Sequence, residues 1–377
     1  MADFFFYGTL RHAPLLALVL QRPVDCLGGE GATLADHCVR RVAGQPYPVI
    51  ESCPGQSAEG IVLRGLSQAD LEALHFYEGG FGYTVKTVAV HLHGGETIEA
   101  QVYFPIPGQL PTDGPWELEV WERDWAAISL RAAEEMMAYQ GRKTQEEIAR
   151  IYPAMFRRAS SWLAAQARSE DPEHDLSQDV RVHAHKRAYV NFFAMEEMDL
   201  QFRRYDGSFS PVINRGVALV GRATVVLPYD PVRDEVLLIE QFRAATFIAG
   251  EKRPWMWEPV AGLIDPGETP EQAALREAQE EAGLQVTRLE PVGEVYSSSG
   301  SSGEFLHLFV GLADLRAVQG GGGLDSENED IRSKVISFRE LMDGVDNCIY
   351  QDMPLVTAAL WLARHRERLR SRDGQGA

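Results

Sequence analysis

Two hydrophobic rhythms divide the chain. FFFYG at 4–8 is an unbroken apolar run that stops at a glycine, the pattern of a buried strand. HAPLLALVLQ at 12–21 predicts a short helix. AEGIVL, YTVKTVAVHL and IEAQVYF then predict strands between 57 and 104, with the glycines at 94 and 95 turning the last two into a hairpin. SQADLEALHFYEG at 67–79 inserts a helix, with Ser67 as N-cap and Asp70 three residues on.

From about 125 to 167 the period is helical. WAAISLRAAEEMMAYQG ends on a glycine, and KTQEEIARIYPAMFRRASSWLAAQAR starts from a Thr144/Glu147 capping box. SEDPEHDLSQD at 169–179 is polar, acidic and interrupted by proline, as a linker is. Strands return after 180. VVLPYDPVRDEVLLIEQF reads as a hairpin, EFLHLFVGL and SKVISF as strands, and MPLVTAALWLARHRERLR as an amphipathic helix. The expectation is an α+β chain with a domain at 1–112, a helical extension at 113–168, a linker at 169–179 and a second domain at 180–370.

Composition adjusts this picture in three places. A length of 377 residues suits two domains. A net charge of −19 argues against nucleic acid or an anionic membrane as partner, since both need a basic surface. The four cysteines form no CxxC pair, so they are expected as reduced thiols in a cytoplasmic protein. MADFFFYGTL lacks the pattern of a signal peptide, and no run approaches the roughly 20 apolar residues of a membrane span.

The chemistry concentrates in GLIDPGETPEQAALREAQEEAGL, 262–284. Thr269 and Gln272 form a capping box, Pro270 suits the first helical position, and Gly283 ends the helix. Glu277, Glu280 and Glu281 then share one helix face, where like charges repel. A divalent cation such as Mg2+ or Mn2+ is the simplest way to offset that repulsion. Arg276 is placed to pair with Glu268 and hold the loop onto the helix.

The positions Gly262, Glu268, Arg276, Glu277, Glu280, Glu281, Gly283 and Leu284 stand at the spacing of the Nudix box, which this stretch resembles. Ala278 is a mild departure, where a larger aliphatic residue is common. The flanks LPYDPVRDEVLLIEQFR, WEPVAGLIDPGE, LDSENEDI and DNCIYQDMPLVTAALWL resemble the bacterial ADP-ribose (ADP-sugar) pyrophosphatases over most of 180–370. The resemblance implies an α/β/α sandwich and hydrolysis of ADP-ribose or a related ADP-sugar to AMP and a sugar phosphate. It implies Glu277 and Glu281 as main metal ligands, Glu280 as a third ligand or an outer residue, and the Ala261 carbonyl beside them. It assigns the general base to the acidic loop after the box, Glu327 first, with Glu329 helping to hold metal. Arg243 would contact the diphosphate, Glu304 the substrate, and Phe193 or Phe192 the adenine. A homodimer is implied on the same ground.

YGTLR at 7–11, followed by YEG at 77–79, resembles the γ-glutamylcyclotransferase-like (AIG2-like) fold, a mixed β-barrel, over about 1–110. The resemblance implies that the backbone of Tyr7, Gly8, Thr9 and Leu10 cradles a substrate carboxylate or carbonyl. Glu78 would shuttle a proton while a γ-glutamyl amine cyclises to 5-oxoproline. Two alternatives stand beside these readings. The first domain acts as a non-catalytic sensor or dimerisation module, or the second cleaves another dinucleotide or a nucleoside triphosphate. Fusions of these two domains also resemble proteins described as tellurite-resistance-associated, a phenotype rather than a reaction.

Overall fold

The computed structural model describes residues 1–317, 322–323 and 330–373. The chain forms two compact units, Met1–Glu170 with Val190–Phe192, and Asp171–Tyr189 with Phe193–Ala377.

The first unit runs β1 (Ala2–Phe6), α1 (Ala13–Leu20), β2 (Glu30–Val42), β3 (Pro48–Leu66), α2 (Gln68–Glu78), β4 (Tyr83–Leu92), β5 (Thr97–Pro105), β6 (Thr112–Pro115), α3 (Leu118–Asp124), α4 (Ala126–Met137) and α5 (Gln145–Gln166). The strands join in the order β3-β1-β5-β4-β2, and β2 pairs back onto β3, so five strands close into a barrel with β6 added beside β2. The β1–β5 pair is parallel and the others are antiparallel. Alternate residues fill the interior: Ala32 and Leu34, Val90 and Leu92, Ala100 and Val102. Gly60 is required by closeness, since a Cβ there would lie 2.4 Å from the Phe6 carbonyl oxygen.

The structure corrects the cysteine expectation. Cys38 and Cys53 are disulfide-bonded, while Cys26 and Cys348 are free. The reason is register. Cys38 on β2 faces Glu51 on β3, and His37 faces Ser52, which leaves Cys53 two residues beyond the partner of Cys38 on the same side of a hairpin that the sequence reading did not draw.

The second unit runs α6 (Leu176–Asp179), β7 (Val180–Val190), β8 (Ala194–Phe202), β9 (Ile213–Leu219), β10 (Arg222–Asp230), β11 (Glu235–Phe242), α7 (Ala244–Ile248), β12 (Trp255–Glu258), β13 (Val260–Leu263), α8 (Pro270–Ala282), β14 (Arg288–Tyr296), β15 (Phe305–Leu312), β16 (Arg332–Ser337), α9 (Phe338–Asp346) and α10 (Met353–Asp373). β7-β8-β9 make a separate three-stranded sheet, and seven strands make the main one. β10 is central there, parallel to β15 and antiparallel to β11 and β13.

The run VVLPYDPVRDEVLLI explains the layering. Val226, Leu237 and Ile239 pack with Ala274, Ala278 and Ala282 of α8 on one face. Leu227, Tyr229, Val236 and Leu238 pack with Leu341 of α9 and Leu355, Ala358 and Leu362 of α10 on the other. Continuous apolar strands are what a sheet covered on both sides needs. The α+β class, the barrel and the helix–sheet–helix sandwich all follow the sequence expectation.

Candidate functional site

Local chemistry sets α8. Thr269 Oγ1 accepts from the Gln272 N–H at 3.2 Å, and Gln272 Oε1 accepts from the Thr269 N–H at 2.9 Å. Gly283 ends the helix at φ +62°, and the Leu284 N–H donates to the Ala278 carbonyl at 3.0 Å. The alanines face the sheet, which aims Glu277 and Glu281 at β13. Glu281 is 1% exposed, and its Oε2 accepts the Ala261 N–H at 3.0 Å. The Glu277 carboxylate lies against Gly262 so closely that a Cβ there would fall 1.9 Å from its Oε1. Gly262 is the cradle for that carboxylate.

Arg276 sits among the acids. It forks onto Glu268 at 2.8 and 2.9 Å, the pairing expected from the spacing, and its Nη1 lies 2.6 Å from Glu277 and 3.0 Å from Glu280. Glu268 also accepts the Asp265 N–H at 3.1 Å, so the loop is tied to the helix. The guanidinium offsets part of the repulsion between Glu277 and Glu280. Among the described residues no three acidic, histidine or cysteine side chains close into a metal cage. The donors nevertheless suit a hard divalent ion. Two carboxylates converge on the backbone at 261–262, and Mg2+ takes few carboxylates, with phosphate and water as the rest of its shell.

A second polar cluster gathers nearby. Arg243, between β11 and α7, donates from Nε to both Glu258 oxygens at 3.0 and 2.9 Å. Burial works against its charge, but Glu258, Glu281 and Asp352 more than compensate and hold its proton tighter. Asp352 caps α10 by accepting the Leu355 N–H at 2.8 Å. Burial, then Glu258 and Glu304, push its carboxyl up to about 7, against the opposing pull of the Leu355 N–H and Arg243. The glycines at 322 and 323 meet the end of α8. Gly323 donates its N–H to the Glu280 carbonyl at 3.2 Å, and a Cβ on Gly322 would strike the Glu281 carbonyl oxygen.

The first unit holds a pocket of its own. Tyr7, Gly8, Thr9 and Leu10 line it together with Glu78 at the end of α2. Glu78 is half-buried, and its withdrawal from water pushes its pKa up to about 7.

Comparison with known proteins matches residues 220–353 to the NUDIX domain model. An ADP-ribose pyrophosphatase of Escherichia coli is 39% identical over 193 residues, 51% of this chain and 92% of its own length. The chain belongs to the Nudix family. A Haemophilus influenzae ADP-ribose pyrophosphatase is 37% identical over 47% of this chain and 85% of its own. A GDP-mannose pyrophosphatase of Cronobacter sakazakii is 34% identical over 48% of this chain and 93% of its own. Residues 4–126 match the model described as gamma-glutamyl cyclotransferase, AIG2-like.

Within this Nudix unit the structure brings Glu277, Glu281, Ala261 and Gly262 together, with Glu280 one step away through Arg276. Arg243 and Glu304 join through the cluster around Asp352. Phe193 stands apart at the β7–β8 turn, 47% exposed, on the separate sheet. Glu327 and Glu329 lie outside the described residues. Sequence reasoning missed Glu258 and Asp352. Both stand in stretches quoted for the Nudix resemblance, but no spacing rule links 243, 258 and 352.

Proposed function

We propose that the Nudix unit hydrolyses the diphosphate bond of ADP-ribose or a related nucleotide sugar, with AMP and a sugar phosphate as products. The observation that supports this best is the pair Glu277 and Glu281, converging from one face of α8 on the backbone at 261–262. These two, with the Ala261 carbonyl and Glu280 behind them, are the residues assigned to Mg2+ or Mn2+. When bound, the ion supplies positive charge against the diphosphate in the transition state. Gly262 lets Glu277 approach, the Ala261 N–H holds Glu281, and the Glu268–Arg276 fork fixes the helix under the loop. Arg243, oriented by Glu258, is assigned to a diphosphate oxygen, which suits a planar guanidinium. Water adds to phosphorus as the bridging P–O bond breaks. The water proton goes to a carboxylate of the acidic loop, assigned to Glu327 with Glu329 beside it. Glu304 is kept on the substrate side and Phe193 on the adenine.

The test is release of AMP from ADP-ribose with Mg2+, beside ADP-glucose, NADH and a nucleoside triphosphate. Glu281→Gln should lose at least ~100-fold, the equivalent of ~3 kcal/mol of charge stabilisation. Normal turnover by a folded Glu281→Gln would sink the metal assignment. Preference for the triphosphate would sink the substrate.

A second reading concerns the first unit. Its pocket holds Glu78 beside the segment 7–10, with a pKa matched to proton transfer near neutrality. That favours cyclisation of a γ-glutamyl amine over a purely regulatory or dimerising role. Release of 5-oxoproline, abolished in Glu78→Gln, is the outcome it requires. The chain is further proposed to work as a homodimer, supported by apolar side chains exposed on β7-β8-β9. A cytoplasmic setting, expected from the few cysteines, now has the Cys38–Cys53 pair as a contrary observation. Among the described residues no helix is long and apolar enough to cross a membrane.

A further inference from the structure

The aromatic pocket of the first unit takes one side of its wall, Pro46, Tyr47 and Pro48, from the tip of the β2–β3 hairpin. That tip belongs to an arm with a defined base. Along the arm the rungs run from Arg41–Pro48 to His37–Ser52, and pairing resumes at Ala35–Ser57. Between those last two rungs Asp36 stands alone against Cys53, Pro54, Gly55 and Gln56, so the ladder is interrupted there. The chain bends at the same place. Asp36 sits at φ +56° and Gly55 at φ +79°, and the Gly55 N–H donates to Asp36 Oδ1 at 2.8 Å. The Cys38–Cys53 disulfide crosses the two strands at this base.

The tip is built into the pocket. The Tyr83 hydroxyl donates to the Pro48 carbonyl at 2.9 Å, and Trp116 Nε1 donates to the Pro46 carbonyl at 3.1 Å. Pro48 also lies on the loop at 7–10, since a Cβ on Gly8 would fall 2.9 Å from its Cγ. Movement of the arm therefore removes a wall of the pocket and uncovers that loop. Backbone bonds resist such movement where β2 and β3 pair regularly. At the interrupted base the disulfide is the covalent restraint. Cys38 is 9% exposed and Cys53 is half-buried, so a reductant reaches Cys53 first.

We propose that Cys38–Cys53 is a reversible redox site, and that a dithiol reductant acting on it loosens the arm that walls the pocket. A thiolate of the reductant attacks Cys53 Sγ, the S–S bond breaks, and Cys38 leaves as a thiolate that takes up a proton. The second thiol of the reductant then displaces Cys53 in the same way, and the reductant departs as a cyclic disulfide. Two electrons pass to the protein sulfurs. In a reducing compartment a disulfide is usually a transient sensor rather than a permanent staple. The bond joins residues 15 apart. A cross-link of that span holds back opening of the loop it closes by ~100-fold. None of this depends on which reaction the pocket performs.

The test is hydrogen exchange read by mass spectrometry on the full chain, oxidised with glutathione disulfide or reduced with dithiothreitol. Thiol titration should find only Cys26 and Cys348 in the first state and all four cysteines in the second. Amides of 39–50 should exchange ~100-fold faster after reduction. Those of Arg11 and His12, bonded to the carbonyls of Gly8 and Thr9, should follow, and those of α8 should not change. Cys38→Ser and Cys53→Ser should each show the fast rates in both states. Reduction of the parent decides the point if either variant fails to fold. The double variant Cys26→Ser/Cys348→Ser should respond as the parent does, and a lost response there would overturn the assignment to Cys38–Cys53. All four thiols free after oxidation, or arm rates unmoved by reduction, would overturn the proposal. So would a bond that resists a glutathione buffer of cytosolic poise, because it would then be a permanent staple.

Discussion

At the scale of single residues, the two units use carboxylates in opposite ways. Glu281 is buried but accepts the Ala261 N–H, and the Arg243 guanidinium lies within electrostatic reach of it. Glu78 is withdrawn into an aromatic pocket, and its pKa rises from 4.5 to about 7. A raised carboxyl pKa means the folded state holds a proton that the unfolded state has lost, so stability falls as pH rises between those values and is level above them. The full effect is on the order of 3 kcal/mol. Glu78→Gln should therefore match the parent near pH 4 and be more stable at pH 8, by denaturant unfolding at both. A gap that grows toward low pH would show the sign is wrong. Gly262→Ala is the counterpart at the other site. Its Cβ has no room beside Glu277. The variant should lose ADP-ribose turnover far more than it loses stability, where overpacking costs about 1–3 kcal/mol.

At the scale of elements, legibility followed range. α8 could be read to its ends because its caps are local: Thr269 with Gln272, then Gly283. Replacing Thr269 by Ala should cost ~1 kcal/mol in unfolding free energy. An unchanged midpoint would mean α8 is held by its alanine face alone. The same locality made α2 and α5 legible through Ser67 and Thr144, whose capping boxes both form. β2 and most of β3 went unread. EGATLADHCVRRV carries charge on its outer face, and β3 runs nineteen residues through the polar stretch CPGQS, with Gly55 at φ +79°. Their partners lie on each other, so only pairing reveals them, and the Cys38–Cys53 bond was hidden for the same reason. The candidate site divides likewise. Glu277, Glu280 and Glu281 share a helix face by spacing, whereas Glu258 and Asp352 meet Arg243 only once the sheet is built.

At the scale of the whole molecule, the separate sheet β7-β8-β9 has apolar side chains in water. Val182, Phe193, Met195, Phe202 and Tyr205 are 55%, 47%, 42%, 44% and 104% exposed. Exposed apolar groups concentrated on one small sheet mark a binding surface more often than chance. The proposed occupant is a second copy of the chain, so light scattering at micromolar concentration should give twice 41.9 kDa. Each chain carries a net charge of −19, and that repulsion opposes pairing. Added salt should then tighten the dimer by screening, where an interface built from surface ion pairs would loosen. Replacing Met195 and Phe202 together by Glu should leave a folded monomer, because neither side chain is buried within its own chain. A parent that scatters as a single chain at all salt concentrations would remove the dimer. A double variant that stays dimeric would move the interface off this sheet.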